Sequence, residues 1–153
     1  MNAELNDLLE EAASFHSHLG PFLVLGLKAG KLALRELRTK QGDSKLSAQI
    51  ELPYRIPISC LLDGVQFSTG CTIGNKRLSF IDSTDITLSF TRSEKAIRLT
   101  LKRAAFQLLN RLFRGEDLDD KELRDLSHNI AIIKEDELFN MKERPVDSAP
   151  RTA

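Results

Sequence analysis

The sequence predicts an α+β fold, a single domain in which a mixed β-sheet of about four to five strands is flanked by α-helices. Three observations carry this reading. Apolar residues recur at helical spacing in two long segments near the start, Asn2 to Phe15 and Phe22 to Leu37. Leu46, Ala48, Ile50, Leu52 and Tyr54 alternate with polar residues, the period of a half-buried strand. Three further strand candidates, Arg77 to Ile81, Asp85 to Thr91 and Ala96 to Lys102, follow one another across short polar turns.

Taken in order, the first helix places Leu5, Leu8, Leu9, Ala12 and Ala13 on one face and ends near His16. The second carries Phe22, Leu25, Ala29, Leu32, Ala33 and Leu37, with Gly26 and Gly30 four apart, and Pro21 suits its first turn. Gln41-Gly42-Asp43 reads as a turn into the first strand. After Pro53 and Pro57 a short helix is expected over Ser59 to Ser68, placing Cys60 at its start, where free N–H groups and the helix dipole would favour thiolate over thiol. A glycine-bearing loop, Thr69 to Asn75, then leads into the three strands. Ala104 to Phe113 is an amphipathic helix stopping at Gly115, and Asp119 to Ser127 is another with an acidic first turn. Glu137 to Arg144 is the last strand candidate. The domain is therefore expected over residues 1–144, with a flexible tail over 145–153.

A chain of 153 residues with 22 basic and 22 acidic side chains is balanced, with one tyrosine and no tryptophan. That composition lacks the basic stripe with interleaved aromatics of a nucleic-acid binder. The nearest basic run, Lys102, Arg103, Arg111 and Arg114, falls on an expected helix and reads as a solvated face. The acidic, amphipathic start does not resemble a signal peptide, and no apolar run approaches the ~20 residues that cross a bilayer. The expectation is a cytoplasmic protein with no membrane or nucleic-acid partner. Two cysteines in that compartment are more often thiols or metal ligands than a disulfide.

The scarce soft donors gather in two short stretches. His16 and His18 stand two apart in Phe15-His16-Ser17-His18-Leu19-Gly20-Pro21, and both cysteines fall between Cys60 and Cys71. Imidazole and thiolate are the donors that hold zinc and the borderline transition metals. The expected ligands are His16, His18, Cys60 and Cys71, although each has a plainer reading. His18 could cap a helix end, His16 could orient the first ligand instead of binding itself, and Cys60 or Cys71 could be small buried residues. Asp63 shares a helix face with Cys60 and is either an oxygen ligand or a cap. Gln66, three further on, could hydrogen-bond a ligand or brace a loop. Lys28, Lys31, Asn75, Lys76 and Arg77 could form a cationic rim.

Four blocks in register, Phe15-His16-x-His18-Leu19-x-Pro21, Leu25-Gly26, Cys60-x-x-Asp63-x-x-Gln66 and Thr69-Gly70-Cys71-Thr72-x-Gly74, resemble the FmdE family of molybdenum formylmethanofuran dehydrogenase. The resemblance implies a mixed-sheet α+β core, association as a homodimer, and a metal site built from the His and Cys blocks. It implies catalytic roles for Cys60 and Asp63, cofactor contacts for Gln66, Thr69, Gly70 and Thr72, and zinc or a similar divalent transition metal at His16, His18, Cys60 and Cys71. Partner subunits like those of formylmethanofuran dehydrogenase are implied too, and these would carry the molybdenum chemistry. This chain departs from the family pattern in having Gly20 where a cysteine is usual and Ser17 where a glycine is usual. With no cysteine beyond Cys71, it resembles members that have the core without a C-terminal zinc finger.

Three functions follow as expectations. The first is a metalloprotein linked to one-carbon chemistry, with an open metal position that polarises a carbonyl or activates water. The second is a non-catalytic module binding a metal, a pterin-type cofactor or a partner subunit. The third is a thiol redox protein joining Cys60 to Cys71, which requires their Cα atoms within ~7 Å.

Overall fold

The computed structural model describes residues 3–145. In chain order its elements are α1 (Ala3–His16), α2 (Pro21–Glu36), β1 (Leu46–Leu52), α3 (Cys60–Thr69), β2 (Leu78–Asp82), β3 (Thr87–Arg92), β4 (Lys95–Leu101), α4 (Arg103–Phe113), α5 (Asp120–Ile132), α6 (Glu135–Leu138) and β5 (Phe139–Pro145). The five strands form one mixed sheet in the order β2-β1-β3-β4-β5. Only β1 and β2 run parallel, because α3 carries the chain across between them; the other pairs are antiparallel. The α+β mixed sheet read from the sequence is the fold observed.

One sheet face is apolar and buried. Leu46, Ala48, Ile50 and Leu52 of β1 align with Leu88 and Phe90 of β3 and with Ile97, Leu99 and Leu101 of β4, all at most 6% exposed. The intervening Ser47, Gln49, Glu51, Ser89 and Arg98 point to the other, wetter face. Helix α2 is apolar almost all round, with Phe22, Leu23, Val24, Leu25, Leu27, Ala29, Leu32 and Ala33 buried, and it packs against α1, α3 and α5.

The α2–α3 crossing is made from small residues. A Cβ at Gly64 would lie 2.6 Å from the backbone nitrogen of Leu27 and closer still to the Leu23 carbonyl oxygen. A Cβ at Gly26 would lie 3.1 Å from the Cα of Gly64 and would collide with the Leu61 carbonyl oxygen. The backbones touch, so these two glycines fix where α3, and with it Cys60, Asp63 and Gln66, sits relative to the start of α2.

Four boundaries differ from the sequence reading for identifiable reasons. His16 belongs to the last turn of α1 and not to the connection, since the Ser17 N–H still bonds the Ala13 carbonyl at 2.7 Å before Ser17 turns to a φ of 90°. Strand β1 stops at Leu52, because Pro53 has no N–H to continue the ladder. Helix α5 runs five residues past Ser127 to Ile132, held by the buried Ile130 and Ala131. The segment expected to begin the last strand at Glu137 is first a short helical turn, α6, with Leu138 buried, so β5 starts at Phe139. The expected tail falls, beyond Pro145, outside the described residues. Among those described, no helix is long and apolar enough to cross a membrane.

Candidate metal site

The site lies where the end of α1, the turn into α2 and the first half of α3 meet. His16 projects from the last turn of α1 and its side chain is 11% exposed. Its Nδ1 lies 2.5 Å from Oδ2 of Asp63, a residue 47 positions away on α3. The same carboxylate accepts from Gln66 Nε2 at Oδ1, 3.1 Å away. Gln66 in turn accepts the backbone N–H of Ile73 at Oε1, at 3.0 Å. Asp63 and Gln66 are three apart on α3 and so share a face, which lets one reach the other.

The second nitrogen of His16, Nε2, is buried and has no protein partner. An unpaired buried polar atom costs about 1–3 kcal/mol, so a folded protein retains few of them without a purpose. The ring of His18 lies beside that of His16, centroids 4.7 Å apart and planes inclined at 39°. Ser17, at positive φ, makes the bend that brings the two rings together. Gly20 is buried and extended at φ −142°, and a Cβ there would meet only His18, 3.5 Å from Nε2.

Cys60 begins α3 and is half-buried, one turn before Asp63. The expected thiolate at a free helix N-terminus is not what the structure shows. The N–H groups of Cys60, Leu61 and Leu62 are already bonded to the carbonyls of Pro57, Ile58 and Ser59. Burial pushes the thiol's pKa up, and the nearby Asp63 carboxylate pushes it further. Cys60 is therefore a neutral thiol at neutral pH.

Cys71, expected to be accessible from its glycine loop, is fully buried, its thiol directed at the Leu46 carbonyl oxygen of β1, 3.4 Å away. Burial raises its pKa as well. Both cysteines are free. Helix α3 holds its first and last residues about 14 Å apart, beyond the ~7 Å a disulfide can bridge, and Cys71 then continues onto β1. The Cys60–Cys71 redox pair is not formed.

The remaining candidates brace the chain. Thr69 donates to the Val65 carbonyl at 2.6 Å and accepts the Cys71 N–H at 3.0 Å. Gly70 supplies the left-handed cap of α3 at φ 78°, with its Cα side against Gly42. Thr72 exchanges hydrogen bonds with Asn75, whose side chain also takes the Arg77 N–H and donates to Gly70. Asn75 thus organises the whole loop, a role the sequence reading missed and an Asx-turn pattern could have suggested. Lys28 leaves the expected cationic rim. Its ammonium donates to the Ala131 and Ile133 carbonyls at the end of α5.

The structure therefore brings together His16, His18, Asp63 and Gln66, with Cys60 one helical turn away, and leaves Cys71 in the core. Among the described residues no three His, Cys, Asp or Glu side chains converge as a ready metal cage. What stands there is a pair of imidazoles, one of them oriented by a carboxylate with its other nitrogen open. That donor chemistry fits a divalent transition ion with positions left for a further ligand.

The family model for FmdE, described by the molybdenum formylmethanofuran dehydrogenase operon, matches residues 15–144. An Archaeoglobus fulgidus protein described as a probable S-adenosyl-L-methionine-binding protein is 29% identical over 136 residues, which cover 79% of this chain and 37% of that protein. The chain thus spans little more than a third of that relative's length. The crystal structure of an FmdE-like protein of the tungsten formylmethanofuran dehydrogenase type, from Syntrophus aciditrophicus, matches with a TM-score of 0.64 at 18% identity. That match covers 93% of this chain and 72% of the other, and it shows a shared fold.

Proposed function

This chain belongs to the FmdE family, and from that premise we propose that it is a metal-binding core domain acting in one-carbon metabolism. The observation that carries the reading is His16, whose Nδ1 is tied to Asp63 while its buried Nε2 has no partner. Zinc or a similar divalent ion would be held by His16 and His18, with Cys60 as the nearest further donor. When bound, such an ion supplies a Lewis acid that polarises a carbonyl oxygen.

The chain's own residues then have distinct tasks. Asp63 holds the His16 ring in one orientation and makes Nε2 more basic. Its two oxygens are engaged by His16 and Gln66, so it is a positioning residue and not the acid–base group of a reaction. Cys60, as a neutral thiol, would lose its proton on joining the ion, so binding through sulfur would release a proton. The start of α2 and the α2–α3 crossing hold these groups on rigid backbone. The expected homodimer and the dehydrogenase-like partner subunits belong to the same proposal, which the family relationship supports.

The test is elemental analysis of untagged protein purified without added metal, together with His16→Ala and His18→Ala. Close to one equivalent of a transition metal in the wild type, lost in both variants, supports the reading. A metal-free wild type that takes up no zinc, cobalt or nickel refutes it.

A further inference from the structure

We infer that Gln66 is a positioning residue that sets the tautomer of His16 from the 72–76 loop, through three consecutive hydrogen bonds. The inference rests on the metal-site reading above and specifies how this site is prepared.

The relay starts from a group whose role cannot change. A backbone N–H is always a donor, and that of Ile73 points at Gln66 Oε1 from 3.0 Å. This fixes the amide: its oxygen faces Ile73, so its NH2 faces Asp63, with Nε2 3.1 Å from Oδ1. An amide assignment is ordinarily ambiguous, and here a main-chain donor removes the ambiguity. Asp63 is then an acceptor at Oδ1. Oδ2, 2.5 Å from His16 Nδ1, receives the imidazole N–H. The proton of a neutral His16 therefore sits on Nδ1, and Nε2 keeps the lone pair that a metal requires.

The loop that starts the relay is itself held. Asn75 Oδ1 accepts from Thr72 and Arg77, each at 3.0 Å, and Asn75 Nδ2 donates to Gly70 at 2.8 Å. Ile73 at the loop tip remains 51% exposed, so its amide would be free to exchange but for Gln66. The sequence reading gave Gln66 a ligand or substrate contact. Both ends of its amide are spent inside the chain, which leaves it no polar group for that task.

The experiment uses metal-free, full-length protein and nitrogen-detected NMR of the histidine rings, with zinc titration as a second readout. Wild type is expected to show His16 as the Nδ1–H tautomer and a slowly exchanging Ile73 amide. Gln66→Met, of similar length and unable to make either bond, is expected to give mixed tautomers, fast Ile73 exchange and about tenfold weaker zinc binding. Gln66→Glu keeps the Ile73 acceptor and loses the donor to Asp63. It should keep the amide protected, which reports an intact loop, and still lose the single Nδ1–H form. An Nε2–H tautomer in wild type overturns the inference, as does an unchanged tautomer in both variants. The ring readout needs no metal: the predicted tautomer shifts in a protein that binds no zinc would uphold this inference and sink the metal reading instead.

Discussion

Replacing Gly64 by alanine tests the packing that aligns the site. In a helix interior this change by itself should gain about 1 kcal/mol, because alanine is the better helix former. The crossing reverses the sign. The new Cβ would sit 2.6 Å from the Leu27 nitrogen and nearer to the Leu23 carbonyl oxygen, both backbone atoms that no side-chain rotation can move. Carbon contacts settle at about 3.5–4 Å, so α2 and α3 must part by about 1 Å, loosening the packing of buried Leu23, Leu27, Leu61 and Val65. Overpacking of this kind costs typically 1–3 kcal/mol, occasionally more, and a rigid backbone partner puts it near the top. A net loss of about 3 kcal/mol is expected, which lowers Tm by about 6–12 °C for a domain of this size. Thermal and urea unfolding followed by circular dichroism would measure it. Gly74→Ala is the control: its Cβ would meet only Thr72 Oγ1 at 3.8 Å, and a change within about 0.5 kcal/mol is expected. Equal stability of the two variants would refute the claim that the helices touch through Gly64.

Three further outcomes follow from the same structure. Lys28→Met strands the Ala131 and Ile133 carbonyls at the end of α5 and should cost about 1–3 kcal/mol by urea unfolding; an unchanged midpoint would show the ammonium is not needed there. Because burial and Asp63 raise the Cys60 pKa, its alkylation by iodoacetamide should be slow at pH 7 and accelerate as pH rises past the normal thiol range, while Cys71 stays unmodified until the protein unfolds. Mass spectrometry of the native protein reads both, and rapid labelling of Cys60 at pH 7 would contradict the neutral-thiol assignment. Gly20→Cys should fold normally, its extended φ of −142° suiting any residue, and should strengthen zinc binding by at least about tenfold by placing a thiol beside His18. No gain in calorimetric affinity would mean that the His18 side of the turn does not face the ion.

Much of the fold was legible because its signals are local. The alternation from Leu46 to Leu52 and the helical period from Phe22 to Leu37 each identify one element from a dozen residues or fewer per face. The site was legible only in its membership. His16 and Asp63 could be named as candidates, but their pairing across 47 residues depends on how α1 and α3 meet, which no local pattern encodes. Cys60 was misjudged because the turn before α3 uses the very N–H groups that would have stabilised a thiolate. Cys71 was misjudged because Gly70, by capping α3 in the left-handed region, turns a loop that reads as exposed back into the core. Lys28 looked like a free cation because the carbonyls that hold it lie more than a hundred residues away.

Cobalt(II) titration of metal-free protein, followed by visible absorption, puts the His16-centred site to its plainest test, on wild type and on His16→Ala, Asp63→Asn and Cys71→Ala. The expected result is one cobalt per chain in wild type, no binding in His16→Ala, and affinity about 10–100-fold weaker in Asp63→Asn, where the orienting carboxylate is lost. The spectrum should be unchanged in Cys71→Ala, since that thiol is buried against Leu46. Cobalt bound equally by His16→Ala, or lost in Cys71→Ala, would contradict a metal site centred on His16.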